Sequence, residues 1–435
     1  MLTHQIDILD SGLTVIRVPM NSLESVTVMA LANTGSRYET ASQQGIAHFF
    51  EHMVFKGTDK FPTAQDLAVA VDSVGADFNA FTSKEFTGYY VQAASKHLQL
   101  ALDVVSDMIL APKLRQDDID REKGVIVEEI NMYLDSPARH IGDVFERMAF
   151  AGSGLEHDII GSKETVNQLT SQNFKDFLSK WYGLSNMILV IAGDASIVKK
   201  EVTLDLINQL FAKEGGKRSD QKIDLNPYLS GKKGPISSQR FHLEKKTTEQ
   251  AHFILGWPAI KRNDPRKYAI SLLSIVMGGN MSSRLFSEIR EKRGLCYYIH
   301  ASSDEYHDGG LLSVAAGVDP NRVYQALELV MAEFNALANG SKKITQQELQ
   351  ASKDFIAGKM ALSFEDSQSV AQYFGSRQLL MGEIETPDEV LAKVNQVTLD
   401  QVQTLAEEII KGKSARLAII GNFEDKIKFE KIINL

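Results

Sequence analysis

The sequence predicts an α+β protein made of two homologous units, each a largely antiparallel sheet with helices packed on it. Three observations lead there. First, the chain has 435 residues, 43% of them hydrophobic and 24% charged. These are ordinary globular values, at a length that exceeds one ordinary domain and can bury two sizeable cores. Second, strand-like Asn186-Met187-Ile188-Leu189-Val190-Ile191-Ala192-Gly193-Asp194 recurs as Ala415-Arg416-Leu417-Ala418-Ile419-Ile420-Gly421-Asn422, and helix-breaking Asp135-Ser136 recurs as Asp366-Ser367. Offsets of about 230 residues imply a duplication. Third, within each copy early strands precede helices, then a strand pair, several helices and a closing strand. That order suits helices laid on one face of a sheet.

Taken in chain order, Ser25 to Leu31 is rich in β-branched residues and reads as an early strand. Thr63 to Val74 reads as a helix. Thr63 can cap it, Asp66 favours its positive end, Leu67, Val71 and Val74 form an apolar stripe, and Gly75 ends it. Asp117 to Leu134 is a second helix, whose steps of three and four select Ile119, Glu122, Ile126, Glu129 and Tyr133 as one seam. Residues 213–239, rich in Gly, Lys, Ser and Pro, read as an exposed linker between a first domain at 1–212 and a second at 240–435. The repeat sets Leu285, Glu288 and Ile289 of the second copy opposite His48, Glu51 and His52, and Met360 opposite Glu129. The second copy is therefore expected to bind no metal.

The stretch Gly45-Ile46-Ala47-His48-Phe49-Phe50-Glu51-His52-Met53-Val54-Phe55 carries the chemistry. Residues four apart on a helix share a face, so His48 and His52 can reach one metal ion, with the Glu51 carboxylate beside it. With 10 His and 56 acidic residues in the chain, His-x-x-acid-His should arise by chance only about 0.03 times, so the pattern carries information. A hydrolytic zinc site needs a third protein ligand and an open fourth position. Glu129 is the candidate, because a carboxylate in an apolar seam is costly unless it meets a cation or a metal. Glu122, two turns earlier, becomes a supporting carboxylate.

The order His-x-x-Glu-His resembles the signature of the pitrilysin/insulinase family of zinc metallopeptidases, the inverzincins, which include mitochondrial-processing-peptidase-like chains. In that family the third ligand follows the second histidine after about 76 residues, and residues 53–128 are that spacer here. Arg121 to Glu129 matches the family motif Arg-Glu-x-Gly-Val-Ile-x-x-Glu. The resemblance implies two metallohydrolase-type units and one Zn2+ per chain on His48, His52 and Glu129. It makes Glu51 the general base and gives Glu122 a supporting role. Asn79-Ala80-Phe81-Thr82, opening a stretch that runs to Tyr90, resembles the strand beside the zinc, whose exposed edge pairs with an extended substrate backbone. Thr248 to His252 and Gly278 to Phe286 resemble the family's second domain. Arg290 and Tyr297, seven positions apart, resemble the pair that reaches a substrate bound at the zinc of a facing domain.

What the resemblance implies about function is hydrolysis of short or unfolded peptides inside a clamshell chamber formed by two chains. Because this chain carries both the zinc motif and the Arg and Tyr pair, a homodimer is expected, with a heterodimer with a related chain as the alternative. The rival functional reading is a non-catalytic scaffold or peptide-binding subunit of the same fold. The formal charge of -9 and the lack of a basic cluster argue against nucleic acid. The absence of an apolar leader or a long apolar span argues against a membrane and for a cytoplasmic location. The single Cys296 excludes an intrachain disulfide and reads as a small buried hydrophobe rather than a nucleophile.

Overall fold

Strands β1 (Gln5–Ile8), β2 (Thr14–Met20), β3 (Ser25–Ala32), β4 (Asp77–Thr82), β5 (Thr87–Ala94) and β6 (Met187–Asp194) form one sheet, in the order β1-β2-β6-β3-β5-β4. The second sheet holds β7 (Phe241–Glu244), β8 (Ala251–Pro258), β9 (Cys296–Glu305), β10 (Gly310–Val318) and β11 (Arg416–Ile420), in the order β7-β11-β8-β10-β9. The computed structural model describes residues 2–21, 23–211, 223–231 and 234–434, so residues 213–222, 232 and 233 of the expected linker lie outside the described residues.

The duplication is visible in the topology. One neighbouring pair in each sheet is parallel, β2 with β6 and β7 with β11, and the other neighbours are antiparallel. The repeated apolar segments are the equivalent central strands β6 and β11. Both are buried on both faces, Asp194 at the end of β6 excepted, and so read as continuous apolar runs. The α+β class expected from the sequence is the class observed.

The compact units are not continuous in sequence. One comprises residues 1–130, 157–227 and 359–388; the other comprises 131–156, 228–358 and 389–435. The expected boundary at 213–239 divides the two sequence halves, whereas each spatial unit also takes a helix from the opposite half. Helix Ser367–Met381 packs on β6, β3 and β2 of the first sheet, burying Val370, Ala371 and Phe374 against Ile16, Met29 and Val190. Helix Pro137–Ala149 packs on β11 and β8 of the second, burying Ile141, Val144 and Phe145 near Ile254, Ala418 and Ile420. The repeated Asp-Ser pair opens both helices. Asp366 caps the first by accepting from the Ser369 amide at 2.8 Å, and Ser367 meets Thr27 of β3 at 2.8 Å.

Four helices surround the site residues: α1 (Ile46–Met53), α2 (Ala64–Asp72), α3 (Leu98–Leu110) and the long α4 (Gln116–Leu134), of which α1 and α4 carry them. α2 begins as expected at Thr63, but Asp66 does more than complement the helix dipole. It closes a reciprocal capping box with Thr63, with backbone-to-side-chain distances of 3.0 and 3.1 Å. α1 is short and almost wholly buried, with Phe49 edge-on to Phe174 at 5.0 Å and Phe50 to Tyr182 at 4.9 Å between ring centres. Gly45 at its start has φ of 90°, and a Cβ there would stand 2.6 Å from the Ile160 carbonyl oxygen, so only glycine fits. No helix among the described residues is long and apolar enough to cross a membrane.

Candidate active site

α1 presents His48, Glu51 and His52 toward α4, and the histidine rings lie 4.7 Å apart between centres. On α4 the seam is formed by Ile119, Glu122, Ile126 and Ile130, all buried. Tyr133, expected in the seam, is only partly buried, and Ile130, four positions after Ile126, completes the buried stripe. Glu129 sits at the margin of this seam and Glu128 is exposed.

The donor atoms converge. Glu129 Oε2 lies 3.4 Å from His52 Nε2 and 3.7 Å from His48 Nε2. Among the described residues His48, His52 and Glu129 form a group of potential ligands whose donor atoms all lie within 4.8 Å of one another. A tetrahedral zinc ion with ligands at about 2.0–2.1 Å separates neighbouring ligand atoms by about 3.3–3.4 Å, close to the spacing found. Two imidazoles and one carboxylate are also the donor set of a hydrolytic zinc centre with an open position. The residues fit the ion.

Electrostatics point the same way. Burial pushes His48 down to about 4, helped by the nearby His52, so the ring is neutral at about pH 7 and has a nitrogen lone pair to offer a metal. Burial also opposes charge on His52, but the hydrogen bonds it donates to Glu122 and Glu129 outweigh it and raise His52 to about 9. The hydrogen bond from His52 holds Glu129 below the ordinary carboxylate range. A proton on His52 thus supplies the positive charge that the Glu122 and Glu129 carboxylates draw to the site.

Glu122, only 6% exposed, has its Oε1 2.9 Å from His52 Nδ1. That contact leaves Nε2 as the ligating nitrogen and sets the ring's orientation, as expected of a supporting carboxylate. Its other oxygen lies 2.6 Å from Lys56 Nζ. Sequence reading missed Lys56, although it stands four residues after His52, a spacing that keeps it on the same face. Burial would raise Glu122, but its contacts with His52 and Lys56 win and keep it ionised.

Glu51 stands outside the ligand set. Burial raises its pKa, while the Thr82 hydroxyl, donating to Oε2 at 2.6 Å, partly offsets that. Thr82, expected on the substrate-pairing strand, also places its hydroxyl on Glu51. Phe81 packs against Phe86, at 5.7 Å between ring centres, and against the core of the first sheet. Asn79 accepts from the Ala80 amide at 2.8 Å, and both residues lie on β4, the terminal strand of the sheet.

In the second unit, Leu285 and Ile289 are fully buried and Glu288 pairs with Arg293 at 2.7 Å and with Lys292. The positions set opposite His48 and His52 are thus packing residues, while Met360, set opposite Glu129, is partly buried. The Arg290 guanidinium lies 5.9 Å from the Tyr297 ring centre and 4.7 Å from that of Phe286. Tyr297 is 74% exposed, so it is not a strand-packing residue. Cys296 is partly buried, and burial pushes its thiol up to about 11, far from a reactive thiolate.

Comparison with known proteins places these features in a family. Residues 16–163, which contain the three candidate ligands and Glu51, match the sequence profile described as insulinase, peptidase family M16. Residues 168–355 match the profile of the peptidase M16 inactive domain. The chain is 34% identical over 418 residues to an uncharacterized zinc protease of Streptomyces coelicolor, covering 96% of this chain and 89% of that one. It is 32% identical over 415 residues to the uncharacterized zinc protease YmxG of Bacillus subtilis, covering 94% and 96%. Its fold superposes on a protease from Helicobacter pylori with a TM-score of 0.88 at 23% identity, covering 97% of this chain and 100% of that one. A peptidase M16 inactive domain from Pseudomonas fluorescens gives 0.86 at 19% identity, covering 97% and 98%.

Proposed function

Because the chain belongs to the insulinase family of peptidases, family M16, we propose that it is a zinc-dependent endopeptidase that hydrolyses short or unfolded peptides. The observation that carries this reading is the convergence of His48 and His52 on Glu129 with Glu51 beside them but outside the ligand set. When bound there, one zinc ion per chain supplies a Lewis acid and lowers the pKa of water at its open position.

Glu51 does the proton work. Its Oε2 is held by Thr82, so Oε1 takes the proton of the attacking water and later delivers it to the leaving amine nitrogen. Its raised pKa brings the carboxylate closer to neutrality, where one group can serve as both base and acid. β4 offers a terminal strand edge, and an extended peptide adding to it would be read by its backbone rather than its side chains. Folded proteins cannot present such a strand, which is why the substrates are short or unfolded. Arg290 and Tyr297 of the facing chain donate hydrogen bonds to the oxygen of the tetrahedral intermediate, a contribution typically of about 3 kcal/mol per donor. Two copies of the chain pair as a homodimer around the substrate, a heterodimer with a related chain being the alternative, and the enzyme works in the cytoplasm.

The test is cleavage of an unstructured reporter peptide and of a stably folded protein, by chain stripped of metal with a chelator and then reloaded. Cleavage of the peptide alone, lost on stripping and regained with one zinc per chain, is the expected result. Stoichiometric zinc without cleavage of any unstructured peptide would favour the peptide-binding subunit instead.

A further inference from the structure

Glu39 is 7% exposed and lies outside the ligand set, yet its carboxylate grips the helix that carries His48 and His52. Oε2 accepts from the Gly45 amide at 2.7 Å and Oε1 from the Ala47 amide at 2.9 Å. α1 has no side-chain cap of its own, since its capping position is Gly45. A helix leaves its first amides without partners, and a carboxylate there satisfies two of them while matching the positive end of the helix dipole. An eight-residue helix is too short to hold itself, so such anchoring decides its setting. The anchored amide of Ala47 is one residue before His48.

The same segment, Gly35 to Glu39, is stitched to the turn between β4 and β5. The Ser36 amide donates to the Ser83 carbonyl at 3.2 Å and the Arg37 amide to the Lys84 carbonyl at 2.9 Å. Arg37 and Glu85, both fully or nearly fully buried, pair at 2.8 Å. The approach is so close that a Cβ on Gly35 would stand 2.3 Å from the Ser83 oxygen. Just before that turn, Thr82 donates to Glu51. The general base and its hydroxyl partner are therefore each tied, through different bonds, to one buried pentapeptide. Burial pushes the Glu39 carboxyl up to about 8, opposed by the Ala47 and Gly45 amides and by Lys84; with both oxygens accepting from backbone N–H groups, these bonds favour the carboxylate.

We propose that Glu39 is a positioning residue of the active site, fixing α1 against the β4–β5 turn so that Glu51 stays on Thr82 and the two histidines stay on Glu129. The proposal rests on the peptidase reading for its catalytic part. It is tested with Glu39→Gln, whose amide group would face a backbone N–H with another N–H, with the shorter Glu39→Asp, and with Thr82→Val alone and combined with Glu39→Gln. Zinc affinity is read by chelator competition, and kcat and KM with an unstructured reporter peptide.

Glu39→Gln is expected to weaken zinc binding about tenfold and to lower kcat by about 10- to 100-fold, with KM nearly unchanged. Glu39→Asp should fall between it and the parent, and remains informative if Glu39→Gln does not fold. In the Thr82→Val background the further loss of kcat from Glu39→Gln should shrink to under about threefold, because the alignment it protects is already gone. Wild-type kcat and zinc affinity in either Glu39 variant would overturn the proposal, as would fully multiplicative losses in the double variant. If the parent chain binds zinc but cleaves nothing, the peptidase reading fails, and the zinc affinity of the Glu39 variants still decides whether Glu39 sets α1.

Discussion

The carboxylate of Glu122 lies 2.9 Å from Nδ1 of His52 and 2.6 Å from the ammonium of Lys56. This chain of charge runs from the margin of the site to a ligating imidazole. It holds the ring plane before any ion arrives and leaves Nε2 as the nitrogen that gives up its proton to the metal.

Removing this support should weaken the metal rather than abolish the fold. Glu122→Gln is expected to lower zinc affinity by about 10- to 100-fold, and Lys56→Met to lower it by a smaller factor, with Lys56→Arg recovering most of the loss. Chelator competition measures all three. Equal affinities in the parent and Glu122→Gln would show that His52 needs no carboxylate to orient it.

Protons and zinc compete for His52. With His52 raised to about 9 in the metal-free chain, binding at pH 7 must displace one proton, so apparent zinc affinity should rise about tenfold per pH unit from 7 to 9 and then level off. A flat profile over that range would mean that His52 is already neutral.

The same group sets a stability trend. A folded pKa of about 9 against 6.5 unfolded gives stability that is fully present below pH 6.5 and is lost as pH climbs through 9, on the order of 3 kcal/mol. His48 acts oppositely: lowered to about 4, it contributes above 6.5 and loses that contribution as pH falls toward 4. Denaturant melts of metal-free chain should therefore show a maximum near pH 6.5 from this pair, and zinc-loaded chain should lack the alkaline decline.

Much of this was legible in the sequence. His48, Glu51, His52, Glu122 and Glu129 were readable because helical periodicity turns spacing into geometry within one element, and the duplication was readable because its central strands are buried on both faces. Sequence patterning could not show contacts that depend on how distant segments meet. Thr82 meets Glu51 across 31 positions, and nothing local to Glu39 marks it as the cap of α1. The repeated Asp-Ser pair read as a helix breaker; only the packing of the helices that follow it revealed that the halves exchange an element. Lys56 was within reach, since its spacing from His52 already placed it on the right face.

Assembly has its own test. If two identical chains complete each other's sites, mixing inactive Glu51→Gln with inactive Tyr297→Phe should restore partial peptide cleavage, because some mixed pairs hold one site with both groups intact. No rescue despite demonstrated subunit exchange would place base and tyrosine in a single chain or remove Tyr297 from the chemistry.

The division of labour between ligands and base is decided by one substitution, Glu51→Gln, measured for zinc content and for peptide hydrolysis in the same preparation. It removes the proton acceptor while leaving His48, His52 and Glu129 untouched. The expected result is one zinc per chain with hydrolysis reduced by at least about a hundredfold. Undiminished hydrolysis, or loss of the zinc, would contradict the assignment of Glu51 as the base outside the ligand set.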